Sequence, residues 1–429
     1  MARTSENSPL RQHAAHVAVV RRLASNGIVP EGGTDFRAIE RWLLADATSE
    51  HGTLLLFAGF VERLRRAGLP LQRSSLHVGT LHPQLLGFAW VWSGDDGICE
   101  EIRVPDAQRG SDSFLLNPLH QAIDLGQQVR AKPQIPGDAA RFPLLGELAA
   151  RGITDYLMQP LSTGGAYHNA ISLATSESGG FDDEVLAKTQ RVLLLFALHV
   201  QRHITLHIAG NVAKTYLGQI AGSNVLNGRI ERGSGEAMEA VIWFSDLRGF
   251  TALSERLSGE DVTKVLNAYL GALAGAVIAE EGEVLKFIGD GLLSVFPYDD
   301  PASAKQAASA AYRATIQALA AVDEINLSPP AGLDGVTGWG PLRSGIAIHS
   351  GRVFFGNVGA PERLDFTVIG RAVNTAARVE ALTKELGEPV LITGPVAGLL
   401  PQEVRSVGRH GLRGVSEQME LFAPALSDS

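Results

Sequence analysis

The chain is poor in cysteine, in long apolar runs and in clustered positive charge, and each shortage removes a class of protein. A single cysteine, Cys99, among 429 residues leaves no intramolecular disulfide and no cysteine-rich zinc site. The longest apolar runs, such as Leu54–Phe60 and Val192–Leu198, fall far short of the roughly 20 residues that cross a membrane. The opening stretch MARTSENSPLRQHAAH lacks the apolar centre of a signal peptide. A cytoplasmic protein with no membrane span is therefore expected. Lys and Arg total 37 against 46 Asp and Glu, a net charge of −9. With no Lys/Arg run present, nucleic acid is not an expected partner.

What remains is ordinary globular material, 45% hydrophobic and 19% charged, long enough for two or three domains. After an N-terminal extension, 1–34, helical patterns cover Phe36–Leu44 and Leu54–Ala67. Short β-like runs follow at Ser74–Thr80, Gly87–Trp92 and Ile98–Val104, the last two joined by Asp95-Asp96-Gly97, a hairpin turn signal. A polar stretch with Pro133, Pro136 and Gly137 leads to a helix near Leu144–Arg151. Strands at Asp155–Leu161 and Asn169–Thr175 flank Ser162-Thr163-Gly164-Gly165, and a long helix begins at Asp182 or Asp183, either a suitable N-cap. This order over 35–185, above all DYLMQPLSTGGAYHNAISLATSESGGFDDEVLAKTQ, resembles a GAF-like sensor domain, a relative of PAS folds. The resemblance implies an antiparallel sheet and an effector, and identifies no ligand.

Residues 186–233 read as a helical connector. Leu193, Phe196, Val200, Ile204 and Ile208 recur at three- and four-residue steps, the pattern of a dimer-forming signalling helix. His199, His203 and His207 share one face. They are either a metal or haem site or an ordinary helix face, and no carboxylate or cysteine accompanies them at ligand spacing. Cys99 is by default a buried structural thiol.

Gly233-Ser234-Gly235 has the composition of a flexible hinge. The apolar run Ala240–Phe244 then predicts a buried strand ending in Ser245-Asp246-Leu247-Arg248-Gly249-Phe250-Thr251. An Asp at a strand end before a Gly-containing loop can hold a hard cation while loop amides face an anion; it can equally be an N-cap. A helix follows with Val262, Val265, Leu266, Tyr269, Leu270, Leu273 and Val277 on one face, then a hairpin, Glu283–Ile288 and Leu292–Phe296, turning at Gly289-Asp290-Gly291. Lys286 sits in an otherwise apolar strand, either snorkelling to solvent or paired. Asp246 and Asp290, 44 positions apart, suit divalent cations on a polyphosphate, with Mg²⁺ the natural choice. Leu342–Ser350 and Arg352–Val358 read as a strand pair around Gly351. Asp365–Gly370 leads into a helix, 372–386, on which Asn374 and Arg378 lie one turn apart, as site or solvated residues.

FSDLRGFT, EVLKFIGDGLLSVFP, RSGIAIHSGRV and DFTVIGRAVNTAARVEALT, in that order, resemble the catalytic domain of class III nucleotidyl cyclases over 236–424. The resemblance implies a ferredoxin-like α+β domain, active as a homodimer with shared sites and two Mg²⁺ (or Mn²⁺) ions per site. It further implies that Asp246, Asp290 and the Leu247 carbonyl hold metal, and that Leu247, Arg248, Gly249, Phe250 and Thr251 cradle the triphosphate. Lys286 and Thr367 match the purine readers, Asn374 the ribose-orienting residue and Arg378 the transition-state arginine. Arg413 stands where the family usually has a phosphate-binding lysine, and Arg343 is a second phosphate candidate.

Lysine can donate to adenine N1, whereas guanine N1 is itself a donor; a Thr hydroxyl can accept from the adenine 6-amino group. The resemblance therefore implies an adenylate cyclase using ATP, regulated by its N-terminal domain. A guanylate cyclase and a catalytically silent nucleotide-binding module are the alternatives.

Overall fold

The computed structural model describes residues 18–25, 35–82, 85–105, 110–161, 164, 169–414 and 417–425. They form two units, Met1–Val212 and Ala213–Ser429.

In the first unit, β1 (Ala18–Ala24) precedes α1 (Phe36–Leu44) and α2 (Thr53–Arg66). Helix α1 starts where the Asp35 side chain accepts from the Ala38 amide at 2.7 Å. Strands β2 (Arg73–His82), β3 (Leu85–Ser93) and β4 (Ile98–Pro105) follow, then α3 (Asp112–Leu115), α4 (Pro118–Ile123), β5 (Val129–Ala131), α5 (Pro136–Ala139) and α6 (Pro143–Ala150). Strands β6 (Asp155–Leu161) and β7 (Asn169–Thr175) complete an antiparallel sheet in the order β1-β4-β3-β2-β7-β6-β5. One face packs on α1, α2 and α7 (Asp183–Leu217), the other on α4 and α6. Cys99 is buried in the first of these cores.

Strand β1 lies inside the segment read as an extension. Arg21 and Arg22 pair with Glu101 and Glu100 across β4 at 2.6 and 2.8 Å. Of the 162–165 loop, only Gly164 is among the described residues. Asp182 caps α7, accepting from the Glu184 and Val185 amides at 3.0 Å. The stripe that suggested a dimer seam is instead intramolecular: Leu193, Phe196, Val200 and Ile204 are buried in the first unit's own core, and Phe196 stacks on Phe60. Leu194, Leu198, Leu206, Val212 and Tyr216 are the exposed large apolar residues of α7. Helices Asp183–Leu217 and Gly259–Ala279 have the length and mean hydropathy of a membrane span, 1.4 and 1.5, and each buries one face in a protein core.

In the second unit, α8 (Gln219–Leu226) leads to β8 (Gly235–Leu247), α9 (Phe250–Arg256), α10 (Gly259–Ala279), β9 (Glu283–Ile288), β10 (Gly291–Tyr298), α11 (Pro301–Leu327) and β11 (Ser344–Ala360). Strands β8, β9, β10 and β11 stand in the order β11-β8-β10-β9, all antiparallel, with α10 and α11 on one face. That is the β-α-β-β-α-β ferredoxin-like arrangement. Strand β12 (Arg363–Ile369) pairs with the far half of β11, and α12 (Arg371–Leu386) packs with α8 on the opposite sheet face. Strand β13 (Val390–Thr393), helix α13 (Gly394–Ala397), and strands β14 (Val404–His410) and β15 (Met419–Pro424) extend the β11 edge.

Two local expectations are corrected. Gly351 is not a turn but sits inside one continuous strand, opposite Ala240. A Cβ there would lie 2.9 Å from that of Ala372, so the glycine lets α12 approach. Gly233-Ser234-Gly235 is not a free hinge. Asn357 accepts from the Gly233 amide and donates to the Ser234 carbonyl, both at 2.9 Å, and its side chain donates to the Arg229 carbonyl at 2.8 Å.

Candidate active site

Asp246 stands one residue before the end of β8, between two glycines of neighbouring strands. Gly345 of β11 is its register partner, and Gly291 opens β10 beside it. A Cβ on Gly291 would stand 2.5 Å from the Ser245 carbonyl and 3.3 Å from Asp246 Oδ1. One on Gly345 would stand 2.4 Å from Glu380 Oε1. The glycines thus open the room that carboxylates occupy. Gly289, at φ +63°, turns the β9–β10 hairpin and brings Asp290 to Asp246. Burial, then the charge of Asp290, then a hydrogen bond between the two carboxyls push the Asp246 pKa up to about 6. Glu380 of α12 is a third acid nearby, pushed up to about 7 by burial and by the charge of Asp246. The Tyr269 phenol, buried close to all three acids, is raised as well.

Among the described residues, neither Asp246 nor Asp290 has a Lys or Arg ion-pair partner. Two carboxylates converging without a cation are repulsive unless a proton or a metal joins them. An all-oxygen donor set of this kind fits Mg²⁺ or Mn²⁺. Leu247, next in β8, is buried, and its carbonyl is the third oxygen that the resemblance offers.

The following segment divides its work. The Arg248 amide donates to the Arg343 carbonyl at 2.8 Å. The Arg248 guanidinium turns to the end of α12, donating to the carbonyls of Thr383, at 3.0 Å, and Glu388. Arg248 is thus committed within its own chain, side chain and amide alike. Gly249 caps α9 at φ +77°, and the first-turn amides, Phe250 and Thr251 among them, have no intrahelical acceptor.

Lys286 has the partner that its apolar strand calls for: its ammonium is paired with Asp365 of β12. Asp365 lies two residues before Thr367, hence on the same strand face, and Thr367 is buried. Lys286, Phe287, Asp365 and Phe366 line a cavity of about 970 Å³, closed elsewhere by α10 and the α7–α8 corner.

Asn374 is exposed and Arg378 half-buried, one turn apart on α12. The Arg378 guanidinium lies against Gly414, 3.4 Å from where a Cβ would stand, next to the exposed Arg413. Arg343, at the start of β11, is exposed too. Among the described residues none of these three arginines has a carboxylate partner.

The residues thus gather as a carboxylate pair, Asp246 and Asp290, a strand pair joined by Lys286 and Asp365, and an arginine-bearing helix. Sequence reasoning missed Asp365 and Glu380. Alternation from Thr367 could have found Asp365; nothing in the sequence places Glu380 near Asp246. Of the histidine face, His199 Nε2 contacts the Leu43 carbonyl at 2.6 Å, and His203 is buried with its pKa pushed down to about 4.

Residues 234–423, wholly within the second unit, match the family model of the adenylate and guanylate cyclase catalytic domain. An adenylate cyclase of Anabaena cylindrica is 36% identical over 185 residues, 43% of this chain and 35% of that protein. A terminal-differentiation specific adenylate cyclase of Dictyostelium discoideum is 32% identical over 187 residues, 42% of this chain and 8% of that one. A solved adenylyl cyclase of P. aeruginosa is 30% identical over 45% of this chain and 97% of its own, with a TM-score of 0.41. The chain spans about a third or less of the length of these two curated relatives. The match to the adenylate and guanylate cyclase catalytic domain thus lies in the second unit and covers less than half of the chain.

Proposed function

We propose that this chain is an adenylate cyclase that converts ATP to 3′,5′-cyclic AMP and pyrophosphate in sites shared by two copies of the chain, under control of its first unit. The observation that carries the reaction is the convergence of Asp246 and Asp290 without a protein cation. Two Mg²⁺ or Mn²⁺ ions, held by Asp246, Asp290 and the Leu247 carbonyl, would acidify the ribose 3′-hydroxyl and neutralise the leaving pyrophosphate. The 3′-oxygen attacks the α-phosphorus, the bond to the bridging oxygen breaks, pyrophosphate leaves and the hydroxyl proton passes to solvent. Asn374 holds the ribose in attack geometry, and Arg378 stabilises charge on the α-phosphoryl group. Within the segment Leu247–Thr251, the Phe250 and Thr251 amides at the start of α9 face the β- and γ-phosphates, and Arg413 and Arg343 add positive charge.

Lys286 donates to adenine N1 and Thr367 accepts from the 6-amino group. Asp365, ion-paired with Lys286, restrains the lysine head at the β12 strand that bears Thr367. The shared site is supported by one chain carrying both the metal and the base-reading sets, so two copies complete two sites. Control by the first unit, read as a GAF-like sensor, is supported by domain order, with α7 continuing across the boundary at 212/213.

The base assignment is tested by comparing kcat/KM for ATP and GTP in the parent and in Lys286→Glu. The variant is expected to lose about 100-fold on ATP and to gain on GTP relative to ATP. An unchanged ATP preference would remove Lys286 from base reading.

A further inference from the structure

Glu283, the first residue of β9, is buried, with 7% of its surface exposed, and has no ion-pair partner among the described residues. A lone buried carboxylate is unfavourable unless hydrogen-bond donors replace its water. The donor here is a first-turn amide of α8: the Ile220 amide donates to Glu283 Oε1 at 2.8 Å. The helix N-terminus is the electrostatically favourable end for an anion.

The backbone on both sides is fitted to this contact. Gly218, between α7 and α8, has φ +90°, which side-chain-bearing residues rarely adopt. A Cβ there would stand 2.7 Å from Glu283 Oε1 and 2.8 Å from the Val284 carbonyl. One turn on, a Cβ on Gly222 would stand 2.8 Å from the backbone of Ala213 and Lys214, so α7 and α8 meet backbone to backbone. Ala221 is fully buried in the core that also holds Leu285 of β9. The corner cannot slide along β9 without uncapping α8 or colliding with the strand. Three residues beyond Glu283 on β9 stands Lys286, and the hairpin tip beyond holds Asp290.

We propose that Glu283 is a positioning residue for the nucleotide site: its carboxylate fastens the α7–α8 corner to β9, so that the corner sets where Lys286 and Asp290 stand. This rests on the cyclase reading for what the site does, not for the joint itself. A shift of α7 along its axis then reaches β9 through one buried carboxylate. Asn374 and Arg378, on α12, lie off that route.

Two measurements on the full chain separate the joint from the reaction. The first is amide hydrogen exchange of the parent, Glu283→Ala and Glu283→Gln without nucleotide. In Glu283→Ala, the α8 first turn and residues 284–288 are expected to exchange at least about 10-fold faster together. Glu283→Gln, whose amide oxygen still accepts, should stay near the parent. Faster exchange in α8 alone, with β9 unchanged, overturns the proposal, as does Glu283→Gln behaving like Glu283→Ala. The second is the split of KM for Mn²⁺-ATP against kcat. Glu283→Ala is expected to raise KM 5- to 20-fold with Glu283→Gln restoring it. A KM within twofold of the parent overturns the positioning role. A parent that makes no cyclic nucleotide would instead sink the cyclase reading, with the exchange result still deciding the joint.

Discussion

The ammonium of Lys286 on β9 is paired with the carboxylate of Asp365 on β12, two residues from Thr367 and on the same strand face. A long lysine side chain at a half-exposed site has many rotamers, and an acid held by a neighbouring strand selects among them. Asp365→Asn should therefore raise KM for ATP about 5- to 10-fold with a smaller change in kcat, and narrow the preference for ATP over GTP. Steady-state kinetics with both nucleotides check this. A fall in kcat at constant KM would place Asp365 in the chemistry instead.

The Asp246–Asp290 pair gives a prediction for metal-free protein. Asp246 is raised to about 6 in the fold against about 3.8 unfolded, so the folded chain binds that proton more tightly. The stability from that proton is present below about pH 4 and is lost as pH rises through about 6. Asp246→Asn should raise Tm at pH 7.5 in the presence of chelator, and the gain should shrink steadily toward pH 4. Added Mn²⁺ should reverse the order by stabilising only the parent. A Tm difference independent of pH contradicts the coupling.

His203 has the opposite sign. Its folded pKa is pushed down to about 4 by burial, against about 6.5 unfolded. Its contribution is fully present above pH 6.5 and is lost as pH falls toward 4. Thermal melts of the parent against His203→Gln over pH 7.5 to 4.5 should show the parent losing more. Parallel curves would mean that His203 does not titrate as a buried group.

Shared sites predict complementation. On the proposed mechanism, Asp290→Ala would remove a metal carboxylate, and Arg378→Ala would remove transition-state charge worth about 10²- to 10³-fold in kcat. Each should be nearly inactive alone. Mixed, with subunit exchange verified by tag pull-down, they should recover partial activity from one intact site per mixed dimer. No recovery despite exchange contradicts the shared site.

Much of this was legible in the sequence. Helix α1 and strands β6 and β7 fall where periodicity and turn residues place them, because strong local signals and tertiary packing agree there. The ferredoxin-like core is what the resemblance of four motifs to the cyclase catalytic domain implies, and the order β11-β8-β10-β9 agrees with it. Strand β1 was not legible, since its arginine-rich AVVRRLA becomes a strand only against the acids of β4. Gly351 sat between two apolar runs as a turn residue would, and only the approach of α12 explains it. The stripe on α7 was read correctly as apolar, yet periodicity cannot say whether its own unit or a second copy covers it. The direction of the Arg248 side chain depends on the carbonyls of Thr383, in α12, and of Glu388, just beyond it, 135 and 140 positions away.

The central claim is turnover, and it is tested most directly with purified full-length protein and Mn²⁺, offering ATP and GTP separately beside an Asp290→Ala control. The account predicts cyclic AMP from ATP, less product from GTP and none above background in the variant. Nucleotide bound by the parent with no cyclic product, from the full chain and from a 213–429 fragment alike, would contradict it.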